Sequence, residues 1–171
     1  WVYWFGTLTW VLLMWRQGGC IDHGDEQYKR LCYSDVVALW GPRGIADALV
    51  PYVQVDLEYP VLTGGFIYVT RLLSGLIPTD RPDLAFLGLT AVALFCCFLG
   101  LLWVHLRLGD GWSALMIAAS PLVATNGLIN WDLFVVALTS AALLAWSRRR
   151  PTLAGVLIGL GTAAKLYPAL L

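Results

Sequence analysis

The chain has 171 residues, of which 59% are hydrophobic and 13% are charged, and its formal net charge is zero. A soluble domain of this length carries about 25% charged residues, so the composition argues against the water-soluble classes. No basic stripe along the sequence suggests nucleic acid as a partner. The composition therefore indicates an integral membrane protein.

Several apolar runs have the composition of spanning helices, each of which needs about 20 residues to cross about 30 Å of hydrocarbon. We predict such helices over 1–15, 84–106, 112–129, 133–146 and 153–171. We expect both ends of the chain to be truncations, because the first residue is Trp1 and the last run is still apolar at Leu171. Tryptophans near the ends of these runs are expected at the headgroups, where amphipathic rings are favoured. They are Trp15, Trp103, Trp112, Trp131 and Trp146.

Two basic connections orient these helices. The arginines at 148–150 give the strongest positive signal, and Arg107 lies in the other basic connection, so we predict that both are cytoplasmic. The run 61–76 then cannot span, and we predict an amphipathic helix in the outer interface. In the alternative, 61–76 spans and the three arginines lie outside, against the positive-inside rule. We therefore predict an all-α, polytopic transmembrane helical bundle whose first extracytoplasmic loop, 16–83, is large.

Two cysteines of this loop, Cys20 and Cys32, are separated by eleven residues. In an oxidising compartment they can pair, so we predict a structural disulfide near the start of the loop. The alternative is two thiols that never meet. The spacing does not resemble a zinc motif. We predict no cofactor and no metal site, although the carboxylates of the loop are a residue type that binds divalent metal ions.

Two acidic residues of the loop are candidates for catalysis. Asp35, in Cys32-Tyr33-Ser34-Asp35, begins a helical pattern, and the alternative is that Ser34 or Asp35 only caps this helix. Glu58 begins Glu58-Tyr59-Pro60-Val61-Leu62-Thr63-Gly64-Gly65, where proline favours extended backbone before it and two glycines permit close backbone approach. This turn is suited to a binding site at the membrane surface. The alternative is a loop-to-helix junction with a solvated Glu58.

Two cations lie in apolar surroundings. Arg71 either holds a phosphate or snorkels to lipid headgroups. Lys165, in Lys165-Leu166-Tyr167-Pro168, is an ionisable residue inside an apolar run and is therefore a functional candidate by default. It follows the basic cluster by about 15 residues, or about 20 Å of helix, which brings it to the outer leaflet on the side of Asp35 and Glu58.

A third polar motif, Asn130-Trp131-Asp132, lies at the outer end of a predicted helical hairpin, where Asp132 is alternatively an N-cap. A cation at the outer face beside an aromatic residue and carboxylates can hold a lipid phosphate while a base deprotonates an incoming hydroxyl. This mutual placement, rather than any one residue, predicts transfer chemistry.

Four motifs in chain order resemble glycosyltransferase family 87, the actinobacterial polyprenyl-phosphate-mannose-dependent glycosyltransferases with the GT-C membrane fold. The motifs are Cys32-Tyr33-Ser34-Asp35, Glu58-Tyr59-Pro60-Val61-Leu62-Thr63-Gly64, Asn130-Trp131-Asp132 and Ala164-Lys165-Leu166-Tyr167-Pro168. The resemblance implies that 1–171 is an N-terminal, partial transmembrane glycosyltransferase domain. It also implies juxtamembrane helices in the first outer loop.

The resemblance further implies an inverting hexosyltransferase that moves mannose from polyprenyl phosphate to an envelope glycolipid or glycan. Asp35 would be the base, with Glu58 the second candidate, and Lys165 and Arg71 would stabilise the departing phosphate. The candidate substrate-binding residues are Tyr59, Asn130, Asp132 and Tyr167. The enzyme would be a multi-pass protein of the plasma membrane with its active site facing the extracytoplasmic side.

A multi-pass transporter is the principal rival, since a lysine in an apolar run and broken apolar segments also occur in helical carriers. A flippase of lipid-linked substrates would share the lipid-phosphate chemistry. The placement of the polar groups in one external loop, rather than at the midplane, favours the transferase.

Overall fold

The structure is a computed structural model that describes residues 1–21, 26–109 and 111–171. Within these ranges the regular secondary structure is helical, in agreement with the predicted all-α class. The helices α1 to α8 are Val2–Gly18, Asp35–Ala38, Val61–Ser74, Pro82–Leu108, Gly111–Ala118, Pro121–Asn126, Asp132–Ser147 and Pro151–Ala164, and a final 3-10 helix covers Tyr167–Leu170.

The longer helices form the frame of the molecule. Helix α7 packs against α4 and α8, α1 packs against α4, α5 and α6, and α3 lies between α4 and α8. Helix α4 has 27 residues, about 40 Å at helical rise, and is the one helix in the described ranges that is long and apolar enough to cross a membrane. Helices α3, α7 and α8 are apolar but shorter. The other predicted spans therefore remain predictions.

The structure divides the helix that we predicted over 112–129. Helix α5 ends at Ala118 and α6 begins at Pro121, with Ser120 in extended conformation between them. Proline has no N–H, and its ring clashes with the carbonyl of the preceding turn, so a continuous helix is interrupted there. The Ser120 side chain accepts a hydrogen bond from the N–H of Leu122 and caps α6.

The helix predicted over 153–171 is likewise interrupted, for the same reason. Helix α8 ends at Ala164, and Lys165 has extended backbone angles. A continued helix would place the ring of Pro168 against the carbonyl four residues earlier, that of Ala164. Instead the chain turns back, and a Cβ on Gly161 would lie 3.1 Å from Cγ of Pro168. Lys165 therefore leaves the helix axis.

Two threonines bind the carbonyls at these interrupted ends. Thr9 of α1 donates its hydroxyl to the carbonyl of Ala118 at 2.6 Å, and Thr63 of α3 donates to that of Ala164 at 2.7 Å. Both threonines are buried. The last carbonyls of a helix have no partner within the helix, so each threonine satisfies a group that would otherwise be buried and unpaired.

The core has two clusters, one of which supports the loop between α1 and α3. The first joins α1, α4 and α5 through residues that include Leu13, Leu94 and Phe98. The second joins the loop to α3, α4 and the start of α7. It consists of Val36, Ile45, Ile67, Phe86, Leu87 and Trp131.

The ring of Trp131 is not exposed to headgroups as we predicted, because the loop folds over it. Its exposed fraction is 0%, whereas those of Trp15 and Trp112 are 79% and 70%. The prediction rested on its position at the end of an apolar run. Such a pattern carries no information on tertiary contacts, and here Val36 and Ile45 of the loop join the ring in one buried cluster. Trp131 is thus a core residue, and the ring of Tyr59 packs against it.

Candidate active site

The segment before α2 is fixed to the connection between α6 and α7. Ser34 is buried and donates its hydroxyl to the carbonyl of Leu128 at 2.5 Å, and the N–H of Asp35 donates to the carbonyl of Ile129 at 2.7 Å. The Ser34 side chain makes no capping bond to α2. The alternative in which it caps this helix is therefore not what the structure shows.

Two tyrosine hydroxyls hold the carboxylate of Asp35. Tyr33 donates to Oδ1 at 2.7 Å, and Tyr59 donates to Oδ2 through a shorter hydrogen bond. The Tyr59 ring stands edge-on to the ring of Trp131, with centroids 5.1 Å apart, which fixes the direction of its hydroxyl. Asp35 is half-buried and carries its charge at the first turn of α2.

Both tyrosines hold their protons more firmly than an isolated tyrosine does. The hydrogen bond to Asp35, with burial and the charge of that carboxylate, raises the pKa of Tyr33 to about 12. Burial, followed by the same carboxylate, raises the pKa of Tyr59. At neutral pH both phenols are therefore donors. Each carboxylate oxygen has a second lone-pair site, so Asp35 can still accept a further hydroxyl.

Lys165 and Asp132 form a bidentate ion pair at the other end of this site. Lys165 Nζ lies 2.6 Å from Oδ1 and 2.7 Å from Oδ2 of Asp132. The Asn130 side-chain oxygen accepts a hydrogen bond from the N–H of Asp132 at 3.0 Å. No side chain of the described residues caps α7, and the Asp132 carboxylate pairs with the lysine instead. The charge of Asp132 also contributes to the raised pKa of Tyr59. Tyr59 is therefore under the influence of both carboxylates.

Lys165 reaches this position because α8 ends one residue earlier. Thr63 binds the carbonyl of Ala164, and the extended backbone of Lys165 follows directly. The side chains of Lys165 and Asp132 are 43% and 42% exposed, so the pair is accessible from outside. Two of the three ammonium N–H groups point to Asp132, which leaves the third for a ligand oxygen.

Glu58 does not join this group, although it precedes Tyr59. Its carboxylate forms a two-bond ion pair with Arg43, in which Nε of Arg43 lies 3.0 Å from Oε2, and its side chain is 55% exposed. The pair joins two parts of the loop at the surface. Glu58 therefore has no hydrogen bond to the tyrosines that hold Asp35.

Arg71 is also engaged elsewhere, as an anchor for the loop. Its Nε and Nη2 donate to the carbonyls of Ile45 and Ala46, both at 2.9 Å, and its guanidinium lies 5.2 Å from the ring centroid of Trp40. It follows Thr63 by eight residues on α3, about 12 Å at helical rise. The structure does not bring Arg71 to Lys165.

Tyr167 lies on the 3-10 helix beyond Lys165. Its hydroxyl is 3.3 Å from Oγ1 of Thr139 on α7, and the residue is 40% exposed. It follows the lysine by two residues, and its hydroxyl contacts Thr139 rather than the ion pair. Its hydroxyl remains accessible to a ligand near Lys165.

A disulfide joins the site to the end of α1. Cys20 and Cys32 are bonded, with their Cα atoms 6.3 Å apart. The Gln17 side chain donates to the carbonyl of Cys32 at 3.0 Å. The disulfide and this hydrogen bond together restrain Cys32, three residues before Asp35.

An apolar cavity of about 340 Å³ lies beside α6 and α7 and includes two polar residues of the site in its wall. Leu122, Val123, Leu133 and Val136 form its apolar walls. Asn130 and Asp132 lie at its polar part. A ligand with an apolar chain and an anionic group would find both environments here.

Tyr33 and Thr63 are residues whose roles the sequence did not reveal. Tyr33 stands two residues before Asp35, and a phenol so close to a candidate base is the signal that could have indicated it. Thr63 binds across 101 positions of sequence, and no local pattern predicts such a contact.

A model of glycosyltransferase family 87 matches residues 59–171, more than half of the chain. No curated protein and no solved structure matches the chain. The matched range includes Tyr59, Asp132 and Lys165, whereas Asp35 precedes it and is placed in the site by geometry alone. The resemblance seen in the sequence is confirmed at the level of the family: the chain belongs to glycosyltransferase family 87 and is a membrane-associated glycosyltransferase.

Proposed function

We propose that the protein transfers a sugar, with mannose as the expected one, from a polyprenyl-phosphate donor to a hydroxyl of an envelope glycolipid or glycan. One observation carries the proposal: Tyr59, which donates to the Asp35 carboxylate, packs on Trp131, the residue directly before the Asp132 that pairs with Lys165. A base and a phosphate-binding cation in one accessible site are what such a transfer requires.

In this proposal Asp35 acts as the general base. It takes the proton of the acceptor hydroxyl, and the oxygen attacks the anomeric carbon on the face opposite the phosphate. The bond between that carbon and the phosphate oxygen breaks, and polyprenyl phosphate leaves with the electron pair. The configuration at the anomeric carbon is thereby inverted.

Lys165 offsets the negative charge of the departing phosphate. Its third N–H is directed to a phosphate oxygen while Asp132 holds the other two. Asp132 is thus a positioning residue for Lys165, and Asn130 supports the backbone of Asp132. Tyr59 and Tyr167 complete the substrate-binding set, and Arg71 contributes indirectly by holding the loop through its carbonyls and the ring of Trp40.

The apolar cavity beside α6 and α7 supports a lipid-linked donor. An isoprenoid chain is branched and apolar, and the cavity combines mostly apolar walls with Asn130 and Asp132. A chain bound there would bring its phosphate toward Lys165, the partner of Asp132.

We further propose a multi-pass protein of the plasma membrane with this site on the extracytoplasmic side. The Cys20–Cys32 disulfide supports that side, because disulfides persist in oxidising compartments. The apolar helix α4 supports membrane insertion. The basic residues at 148–150 follow α7 and lie at its far end from Asp132, as the positive-inside rule requires.

The test is an assay of sugar transfer from radiolabelled polyprenyl-phosphate mannose in membranes that contain the full chain. Asp35→Asn is compared with Glu58→Gln and with Asp56→Asn, an exposed carboxylate of the same loop. We expect Asp35→Asn to lose about a hundredfold or more of the transfer rate, as loss of a general base does. Glu58→Gln and Asp56→Asn are expected to stay near wild type.

Loss of transfer in Glu58→Gln alone would move the role of base to Glu58. If wild-type membranes fail to transfer mannose or any other polyprenyl-phosphate-linked hexose, the proposed donor class is wrong. Matched protein amounts, measured by immunoblot, separate lost activity from lost expression.

A further inference from the structure

A second cavity is lined by two residues that bond to Asp35. It has a volume of about 460 Å³ and lies between residues 27–33 of the loop and the end of α6. The mechanism proposed above gives it no role. Its walls nevertheless combine aromatic rings with amide side chains.

Two stacked tyrosines form one wall. The rings of Tyr28 and Tyr33 have centroids 5.5 Å apart and planes 12° apart. Tyr28 is 70% exposed, so its outer face is open while its inner face rests on Tyr33. The hydrogen bond from Tyr33 to Asp35 holds the inner ring, and the stack thereby restrains the outer one. The wall is a supported aromatic platform.

The remaining walls combine the apolar side chains of Leu31 and Ile129 with the polar ones of Gln27, Thr125 and Asn126. The Thr125 hydroxyl and the Asn126 amide nitrogen already donate to carbonyls of α6, so these two residues offer a ligand acceptor oxygens, whereas the Gln27 amide carries both donors and an acceptor. The apolar C–H face of a pyranose ring packs on an aromatic ring, while its hydroxyls need such polar partners. Both requirements of a sugar ring are met within this one cavity.

Two wall residues bond directly to Asp35, so the cavity opens beside the base. Tyr33 donates its hydroxyl to the carboxylate, and the carbonyl of Ile129 accepts the N–H of Asp35. Ile129 and Asn126 also line the apolar cavity that reaches Asp132. The two cavities therefore share a wall; Asp132 lines the apolar one, and Asp35 bonds to Tyr33, which lines the other.

We propose that the cavity is the acceptor subsite and binds a hexopyranose ring stacked on Tyr28. This inference rests on the proposed function, because it assigns the second substrate of the same reaction. The acceptor sugar enters beside Tyr33 and presents its hydroxyl to Asp35, while the donor occupies the side of Asp132 and Lys165. Each substrate thus has its own cavity.

The test measures sugar binding without any donor. The full chain in lipid nanodiscs is titrated with the methyl α-pyranosides of mannose, glucose and galactose, with binding followed by saturation-transfer NMR. Wild type and Tyr28→Phe are expected to bind at least one of them equally well, since both keep the ring. Tyr28→Ala is expected to bind about fivefold to tenfold more weakly. Tyr68→Ala, a tyrosine on α3 outside the cavity, is the matched control.

A second measurement checks that Tyr28→Ala remains folded and binds donor. The hydrolysis of polyprenyl-phosphate mannose by water is expected to be unchanged in this variant, while the KM for the methyl glycoside as acceptor rises by the same factor as its Kd. The acceptor subsite is wrong if no glycoside binds wild type or if Tyr28→Ala binds as tightly. Failure of the proposed function looks different, because sugar binding would persist while wild type transferred no sugar from the polyprenyl donor.

Discussion

The hydroxyl of Tyr59 donates to the carboxylate of Asp35 across 24 positions of sequence. Tyr59 is the first residue matched by the family model, whereas Asp35 lies before the matched range. The bond therefore joins the recognised part of the chain to the candidate base. The edge-on contact of Tyr59 with the buried ring of Trp131 fixes this bond to the core.

Tyr59→Phe tests whether this hydrogen bond positions the base. A hydrogen bond to a charged group contributes about 1.5–3 kcal/mol, so we expect transfer to fall about tenfold to a hundredfold. The ring and its contact with Trp131 remain, but the lost hydrogen bond also lowers stability, so transfer is compared below the melting temperature of the variant. Tyr68→Phe serves as control. Unchanged transfer in Tyr59→Phe would show that Asp35 does not depend on this donor.

The raised pKa values of Tyr33 and Tyr59 predict a loss of stability at alkaline pH. The folded state holds these protons more firmly than the unfolded state, whose tyrosines titrate near pH 10. Their contribution to stability is therefore complete below about pH 10 and is lost as the pH rises toward about 12, the pKa of Tyr33. The fall in melting temperature over this interval should be smaller in Tyr33→Phe than in wild type. Tyr3→Phe is the control. If the melting temperature of Tyr33→Phe falls as far as that of wild type, the raised pKa of Tyr33 is contradicted.

Local sequence features were sufficient to single out Asp35 and Lys165. An acid at the start of a helical pattern and a cation in an apolar run are conspicuous without knowledge of tertiary contacts. The partners of Glu58 and Arg71 were not predictable in this way. Glu58 pairs with Arg43, and Arg71 binds two loop carbonyls, contacts that depend on how an irregular loop folds.

The helix ends differed from prediction for another reason. Apolarity alone favours continuous helices through Pro121 and Pro168, because hydropathy does not register a missing N–H or a ring clash. Both prolines end the preceding helix, and the break at Pro168 is what directs Lys165 toward Asp132. Here the local backbone chemistry of one residue type decides the geometry of the site.

Thr63→Val tests whether the end of α8 positions Lys165. Valine keeps the volume but removes the donor to the carbonyl of Ala164, which leaves a buried acceptor unpaired at a cost of about 1–3 kcal/mol. Thr9→Val is a matched control, because Thr9 makes the same bond to Ala118 at the other interrupted helix. Both variants should lose similar stability.

Only Thr63→Val should lose transfer activity, and we expect its KM for the polyprenyl donor to rise, since Ala164 immediately precedes Lys165. The comparison is made below the melting temperature of both variants. Equal loss of activity in Thr9→Val would mean that general destabilisation, rather than the placement of Lys165, accounts for the effect.

Lys165 and Asp132 are expected to act as one unit, which a double-mutant cycle can measure. Both side chains are partly exposed, so the ion pair contributes at most about 1 kcal/mol to stability and its loss should barely change the melting temperature.

Transfer should fall at least about tenfold in Lys165→Met, because a charge-assisted bond to the phosphate is lost. Asp132→Asn should cost less, since the lysine keeps its charge but loses its orientation. The double variant should be no slower than Lys165→Met, because Asp132 acts through Lys165. If the two losses multiply instead, Asp132 contributes to transfer independently of the lysine, and its assignment as a positioning residue is wrong.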